Sequence, residues 1–248
     1  MQEGKTIGLI VPSSDVNIEA FYHRFVPAEI VVATNRISCD GLHIQSLEQM
    51  VSSSEQAAVD LCHVEPDILI SSSLTLGCFL DTTLQRRIEQ RTGVPCITSL
   101  YALLKVLEHI PPCRLALLMP YQEDINALFS KTLEQNGVDV CYIEYLKEIG
   151  GEACRSIREI QTLDVLQVVE RIDLPALRAS GADMLLIGAA GLSGSEKIPM
   201  AEKMLGLPLL LPEQLALMYA LVCLECYAPI PELGSIFRSN SYTCNDMR

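Results

Sequence analysis

The chain has 248 residues and carries 31 acidic against 18 basic side chains, a formal net charge of −13 at pH 7. This length suits one large domain or two lobes of about 110–120 residues, and the 49% hydrophobic content excludes a disordered chain. The acidic balance disfavours nucleic acids and anionic membrane surfaces as partners, because both are bound through clustered Lys and Arg.

The compartment is predicted from apolar runs and cysteine usage. No apolar run reaches the roughly 18–20 residues of a membrane-spanning helix. Residues 1–5 do not resemble a signal peptide. The ten cysteines are sparse for a disulfide scaffold and lie mostly in apolar runs. We therefore expect a cytoplasmic protein whose thiols are all reduced.

Short β-branched or Leu-rich runs alternate with segments of helical period along the chain. The predicted strands lie at residues 6–11, 29–34, 67–72, 95–98, 114–119, 138–144, 183–188 and 207–211. The predicted helices lie at residues 16–25, 45–63, 80–92, 99–108, 122–136, 163–179, 197–205 and 213–226. Continuous apolar strands of this kind are typical of a parallel sheet that helices cover on both faces, so the fold class is α/β.

An internal repeat organises these elements. Three landmarks recur in the same order, at offsets of 108, 116 and 113 positions. They pair Pro12 with Pro120, Asp67 with Asp183, and Gly93 with Gly206. The repeat predicts two pseudo-symmetric lobes that each carry a four-stranded parallel sheet.

The lobes are predicted at residues 1–110 and 111–225, followed by a C-terminal tail at residues 226–248. Ligands of open parallel sheets bind just beyond the carboxyl ends of the strands. Because two such lobes face each other, we expect the site to lie in the cleft between them.

Four segments follow the predicted strand ends, at residues 12–15, 71–75, 120–123 and 188–191. They are small, hydroxyl-rich and glycine-rich, and backbone N–H groups at helix starts bind carboxylates without Lys or Arg. Each segment taken alone is equally well explained as ordinary turn and capping chemistry. Together they predict a carboxylate-binding cleft. Its substrate-binding candidates are Pro12, Ser13, Ser14, Ser72, Leu74, Thr75, Ala189, Ala190 and Gly191.

Other site types find little support in the sequence. The four histidines show no metal-ligand spacing, so we expect no metal. The Cys223-Leu224-Glu225-Cys226 pair lies in a predicted helix and indicates a structural rather than a redox role. There is no dinucleotide fingerprint, phosphate loop or serine-hydrolase elbow.

The strand-end segments also resemble a known family. Gly8–Asp15 resembles the opening of the maleate isomerase and arylmalonate decarboxylase branch of the Asp/Glu racemase superfamily. Met119–Asn126 resembles its central Tyr-x-x-x-x-Asn motif, and Leu185–Leu192 resembles the last site loop of the decarboxylase. Arg91–Cys96 resembles a further landmark, and the resemblance spans about residues 5–225. It implies chemistry without a cofactor at the carbon next to a carboxylate.

The resemblance also implies one or two catalytic cysteines, one per lobe at equivalent strand ends. Aligned on the landmarks above, those positions fall on Ser73 and Ala189. Racemisation by two thiols is therefore excluded, and decarboxylation or covalent isomerisation would need another group. Cys78, the thiol nearest to the first position, is assigned a packing role inside the following helix.

Three residues remain as catalytic candidates. Tyr121 comes first, as a donor to the carboxylate or enediolate or as a proton relay. Ser73 comes second, as a replacement hydrogen-bond donor. Asp15 either caps a helix or acts as a base or proton carrier with a raised pKa.

Two functions of different classes fit these residues. The first is a cofactor-independent isomerase, decarboxylase or other lyase acting on a small carboxylic or dicarboxylic acid. The alternative is a catalytically inactive relative that binds a small carboxylate as a sensor or accessory protein. A third explanation is that residues 73 and 189 carry inactivating substitutions. We also expect a homodimer or larger closed oligomer, from the resemblance and from the apolar helix near 213–226.

Overall fold

Two four-stranded parallel sheets form the framework of the computed structural model, which describes residues 4–41, 43–80, 83–110, 113–121, 123–146 and 157–238. The strands are β1 (Thr6–Pro12), β2 (Val31–Ile37), β3 (Ile68–Ser71), β4 (Cys96–Thr98), β5 (Arg114–Met119), β6 (Asp139–Tyr145), β7 (Met184–Ile187) and β8 (Leu209–Leu210). The orders are β2-β1-β3-β4 and β6-β5-β7-β8. The predicted α/β fold with two parallel sheets is confirmed, and each strand lies within three residues of its predicted ends.

Helices connect the strands and cover both sheets. They are α1 (Ile18–Phe25), α2 (Ile44–Leu61), α3 (Leu74–Leu80), α4 (Thr83–Thr92), α5 (Ser99–Glu108), α6 (Glu123–Gln135), α7 (Ile157–Gln161), α8 (Val165–Val169), α9 (Leu174–Ala179), α10 (Ile198–Leu205) and α11 (Pro212–Cys223). Short 3₁₀ turns occur at residues 62–64, 195–197, 231–233 and 235–238. None of the helices in the described part of the chain has the length and apolar character to cross a membrane.

The structure corrects two helix predictions. The helix predicted over residues 163–179 is two helices, because Asp173 caps a new start at α9, with a proline in its first turn. The helix predicted from residue 80 begins at Thr83, and α3 precedes it. Helix α3 was missed because its seven residues carry no charged or strongly polar face that would show a helical period.

The internal repeat is visible in matching hydrogen bonds. Asp67 accepts from the backbone N–H of Thr6 at 2.8 Å, and Asp183 accepts from the N–H of Arg114 at the same distance. In each sheet the bond joins the first residue of a central strand, β1 or β5, to the residue just before the neighbouring strand, β3 or β7. The pairing of Asp67 with Asp183 is thus a structural equivalence between the two sheets. The lobe limits inferred from it stay a prediction.

Helix α11 joins the two sheets. It follows β8 of the second sheet, yet it packs against α5 and against β3 and β4 of the first sheet. Residues 212–222 of this helix are all buried. The rings of Tyr101 on α5 and Tyr219 on α11 meet edge-on, with centroids 5.6 Å apart. The helix has no exposed apolar face to offer a second copy, so the sequence-based argument for association through it is wrong.

Part of the predicted C-terminal tail packs against α10 and α11, the helices that follow β7 and β8 of the second sheet. Ser235 donates from its N–H and its hydroxyl to Glu202 of α10, and Gln214 of α11 donates to the carbonyl of Leu233. Phe237 is fully buried. The residues up to 238 therefore belong to the packed fold.

We predict that shortening a buried side chain in the middle of α11 lowers the free energy of unfolding more than shortening an exposed side chain on the surface. Leu217→Ala shortens a fully buried side chain of α11 and should lower the free energy of unfolding by about 2–5 kcal/mol. Met200→Ala on α10 changes a side chain that is 57% exposed and should stay within about 0.5 kcal/mol of the wild type. Urea unfolding followed by circular dichroism measures both. Equal losses in the two variants would contradict the bridging role of α11.

We predict that all ten thiols are reduced. None of the eight cysteines in the described residues forms a disulfide, and the remaining two, Cys154 and Cys244, lie outside those residues. Thiol titration of the denatured protein without reductant should therefore count about ten groups. A count lower by two or more would show that at least one disulfide exists.

Candidate active site

A small cavity of about 40 Å³ lies where the carboxyl ends of β1, β3 and β5 converge. That volume holds about three water molecules, so it favours a ligand of few heavy atoms. Eight residues of the predicted set line it: Pro12, Asp15, Ser72, Ser73, Leu74, Thr75, Tyr121 and Ala190. The remaining wall residues were not predicted: Ile18, Cys39, Gly41, Leu47 and Met50. The lining thus combines hydroxyl groups and one carboxyl group with an apolar wall.

Four predicted site residues do not line the cavity. The Ser13 hydroxyl accepts from the N–H of Cys39 at 3.3 Å. The Ser14 hydroxyl is buried without a hydrogen-bond partner among the described residues. Ala189 is fully buried, and Gly191 lies behind the cavity against Asp15. Gln122, in the predicted segment 120–123, lies outside the described residues.

The serines after β3 have different local roles. The Ser72 hydroxyl donates to the carbonyl of Ile10 at 3.0 Å, so its proton is engaged in fastening β3 to β1. The Ser73 hydroxyl accepts from the N–H of Leu76 at 3.2 Å, which caps the start of α3 and leaves its proton to donate elsewhere. Of the two, Ser73 is therefore the better donor to a ligand.

Ser73 and Ala189 occupy equivalent positions in the two sheets. The N–H of Ser72 donates to the carbonyl of Ile10, and the N–H of Gly188 donates in the same way to the carbonyl of Leu118. Ser73 and Ala189, which follow these two donors, therefore lie at the same position relative to the ends of their strands. The two sheets present a hydroxyl and a methyl group at these places, and neither presents a thiol.

Tyr121 is held at the end of β5 by a residue five positions later. The side-chain amide of Asn126 on α6 donates to the carbonyl of Tyr121 at 2.8 Å, and both residues are buried. This bond gives the Tyr-x-x-x-x-Asn spacing a physical reason, because the amide fixes the turn between β5 and α6. The aromatic ring is thereby kept at the cavity wall.

Asp15 caps a helix and also has the raised pKa that the sequence left as the alternative, while a role as base or proton carrier stays a prediction. One carboxylate oxygen accepts from the N–H groups of Asn17 at 2.9 Å and Ile18 at 2.8 Å, at the start of α1. The side chain is only 3% exposed. Burial raises the pKa of this carboxyl group, and the two N–H donors and the Arg36 charge lower it by less. Asp15 therefore caps a helix and is also an acid with a raised pKa.

Glu213 is a buried acid that the sequence analysis missed. It lies in the first turn of α11 and is 1% exposed. Burial, with a smaller contribution from the charge of Asp15, raises its pKa to about 8. A Glu after a proline at a predicted helix start looks like an ordinary first-turn acid. Only the crossing of α11 to the first sheet brings it beside Asp15, and no sequence pattern indicates that crossing.

Cys39 is the second residue that was missed. It follows β2, lines the cavity, and its thiol lies 3.7 Å from the carbonyl of Gly41. Burial raises the pKa of this thiol, which favours the neutral form. The strand-end rule could have found it, because β2 runs parallel to β1 in the same sheet. The four segments predicted from that rule follow four other strands, β1, β3, β5 and β7.

Within the described residues, no group of three or more His, Cys, Asp or Glu side chains is placed to hold a metal ion. The lining residues named above also include no Lys or Arg. An anion in this cavity would therefore be held by neutral donors.

Several solved structures share this fold. The maleate isomerase Iso from Pseudomonas putida S16, in a variant solved with maleate, is 19% identical with a TM-score of 0.79, covering 95% of this chain and 98% of that one. The maleate cis-trans isomerase of Nocardia farcinica is 20% identical with a TM-score of 0.81, covering 94% and 98%. Unliganded arylmalonate decarboxylase is 22% identical with a TM-score of 0.75, covering 94% and 98%.

A comparison of sequences identifies the family to which the chain belongs. In a comparison of sequences alone, no curated protein matches the chain. The sequence model described as arylmalonate decarboxylase matches residues 7–228, which run from the second residue of β1 to beyond the end of α11. This is the branch that the strand-end motifs predicted. The chain belongs to the arylmalonate decarboxylase family.

Proposed function

We propose that this protein is a cofactor-independent enzyme acting at the carbon next to a carboxylate of a small carboxylic or dicarboxylic acid, as an isomerase, decarboxylase or other lyase. The observation that carries the proposal is the small cavity at the converging strand ends, lined by hydroxyl groups and a buried carboxyl group. Family membership and the fold of the maleate isomerases support it.

The hydroxyl groups of Ser73, Thr75 and Tyr121 are proposed to hold the substrate carboxylate. All three residues line the cavity, and hydroxyl donors bind a carboxylate without adding a charge that must itself be buried. If the carbon next to the carboxylate loses a proton or carbon dioxide, negative charge moves onto the carboxylate oxygens as an enediolate. The same three donors then stabilise that charge, as an oxyanion hole does.

The proton step needs a group other than the family thiols. One variant of the Nocardia farcinica enzyme carries a covalently bound succinylcysteine intermediate. In this chain the aligned positions are Ser73 and Ala189. A serine hydroxyl is a weak nucleophile without an adjacent base, and an alanine cannot donate a proton. We therefore assign proton transfer to Tyr121 or Asp15, which both face the cavity.

The second candidate function is a catalytically inactive relative that binds a small carboxylate as a sensor or accessory protein. The absence of a thiol at both aligned positions favours it, since the hydroxyl groups for binding would remain. The two functions differ in one measurable respect, because a binding protein leaves its acid unchanged. Incubation of candidate acids in D₂O, followed by proton NMR, detects isomerisation, decarboxylation and deuterium incorporation together.

We predict that Tyr121→Phe weakens the binding of small acids. Loss of one hydrogen bond to a charged carboxylate should cost about 1.5–3 kcal/mol, which is roughly a 10- to 150-fold rise in Kd. Calorimetric titration with maleate and other small mono- and dicarboxylates measures it. Tyr142→Phe is the matched control, because its hydroxyl donates to Glu144 on β6 and lies outside the cavity. If both variants bind like the wild type, the cavity is not the binding site.

We predict that Cys78→Ser leaves turnover nearly unchanged. Cys78 is buried in α3 and does not line the cavity, so its thiol has a packing role. The NMR assay with a fixed acid should give a rate within about twofold of the wild type. Abolished turnover in a normally folded variant would assign catalysis to this thiol and refute the mechanism.

Association into a homo-oligomer and a cytoplasmic location stay predictions.

A further inference from the structure

Cys39 is the one cysteine of the described residues that lines the small cavity at the strand ends. A cavity of about 40 Å³ is filled by a ligand of few heavy atoms, which then contacts all of its walls. An acid bound there is therefore expected to meet this side chain. The two positions at which the family resemblance implies a thiol hold Ser73 and Ala189. The cavity thus has a thiol, but from a strand end that the resemblance does not indicate.

Two hydrogen bonds hold the chain around Cys39 in place. The N–H of Ser13 donates to the carbonyl of Ile37 at 2.7 Å, and the N–H of Cys39 donates to the Ser13 hydroxyl at 3.3 Å. The thiol itself lies 3.7 Å from the carbonyl of Gly41. These contacts join the segment after β2 to the segment after β1, so Cys39 is fixed beside the residues that line the cavity from β1.

The segment after β3 offers the cavity a hydroxyl group without a partner. Thr75 lines the cavity and is 5% exposed, and its hydroxyl makes no hydrogen bond to the other described residues. A buried hydroxyl group without a hydrogen bond is costly, so this side chain indicates a ligand that accepts from it. The carboxylate of a small acid is such an acceptor.

The sheet order puts the thiol and this hydroxyl group on different flanks of the cavity. Strand β1 lies between β2 and β3, so Cys39 and Thr75 reach the cavity from opposite sides of β1. The segment after β2 and helix α2 supply Cys39, Gly41, Leu47 and Met50. Of these four residues, only the cysteine carries a proton that can be transferred. An acid whose carboxylate is held on the β3 flank then presents its adjacent carbon to the thiol.

The surroundings of the thiol keep it neutral. The lining residues include no Lys, Arg or His that would stabilise a thiolate. Burial raises the pKa of the Cys39 thiol, and nearby hydrogen-bonding groups of Gly41, Ser46 and Ser14 lower it by less. A neutral thiol is a poor nucleophile, but it keeps a proton to give. The chemistry open to Cys39 is therefore that of a general acid.

We propose that Cys39 donates a proton to the carbon next to the substrate carboxylate. This role rests on the proposed function and deepens it by naming a proton donor besides Tyr121 and Asp15. The hydroxyl groups of Ser73 and Thr75 hold the carboxylate, while the thiol faces the reacting carbon.

The step balances with the solvent as the final source of the proton. The enediolate forms when the substrate releases carbon dioxide or gives a proton to Asp15. Its electron pair then forms a C–H bond with the thiol proton, the S–H bond of Cys39 breaks, and sulfur takes the negative charge. A proton from water restores the thiol. The hydroxide left behind combines with the carbon dioxide as bicarbonate or takes the proton from Asp15.

Turnover of two Cys39 variants, measured by proton NMR in D₂O, tests the donor. The kcat of Cys39→Ala should fall about 10²–10⁴-fold, as loss of a general acid does. Cys39→Ser keeps nearly the same size, but a serine proton is far less acidic, so kcat should fall there as well. A packing role would be kept by serine. Circular dichroism checks that both variants fold.

Binding and a matched control separate the donor from a general loss of the site. The Kd of Cys39→Ala for the acid that the wild type converts, measured by calorimetric titration, should stay within about threefold, because the hydroxyl groups are intact. Cys62→Ala is the control, since Cys62 is also half-buried but donates to the carbonyl of Ala58 and lies outside the cavity. Its kcat should stay within about twofold of the wild type.

Three results would overturn the role of Cys39, and they differ from one another. If both Cys39 variants convert the acid at the wild-type rate, the thiol is not the donor, although the proposed function stands. If Kd rises as much as kcat falls, the thiol serves binding instead of proton transfer. If the wild type converts no acid, the proposed function itself fails and the donor role falls with it.

Discussion

The burial of α11 against the first sheet is the interaction on which the rest of the molecule depends. A helix that is apolar on every side must be covered on every side, and α5, β3 and β4 supply that cover from the other half of the chain. The two sheets are therefore held as one body with their strand ends facing the cavity. The same helix brings an acidic residue from the second half of the chain to the end of the first strand.

Apart from the carboxyl group of Asp15, the polar groups that line the cavity are neutral. Hydroxyl donors from β3 and β5 face it, and the one carboxyl group in the lining is stabilised by two backbone N–H groups at the start of α1. Such a site can accept an anionic substrate without a lysine or arginine in its walls.

The sequence was enough to predict what depends on local pattern and on the rules of parallel sheets. Apolar runs indicated all eight strands, and the strand-end rule brought together Pro12, Ser73 and Tyr121. What it missed depends on tertiary packing. Helix α3 has no polar face to show its period, and the crossing of α11 depends on its contacts with α5, β3 and β4, which lie far from it in the sequence. Glu213 could not be placed before that crossing was known.

Two equivalent carboxylates show how the halves of the repeat have diverged. Glu89 accepts from the N–H of Cys96 at the start of β4, and Glu202 accepts in the same way from Leu209 at the start of β8. Glu202 also binds Ser235 from the C-terminal segment, and Glu89 has no counterpart of that bond among the described residues. The Glu202 carboxylate thus binds the C-terminal segment as well as the start of β8. A substitution at residue 202 therefore removes the bonds to the start of β8 and to the C-terminal segment together, whereas a substitution at residue 89 leaves the C-terminal segment attached.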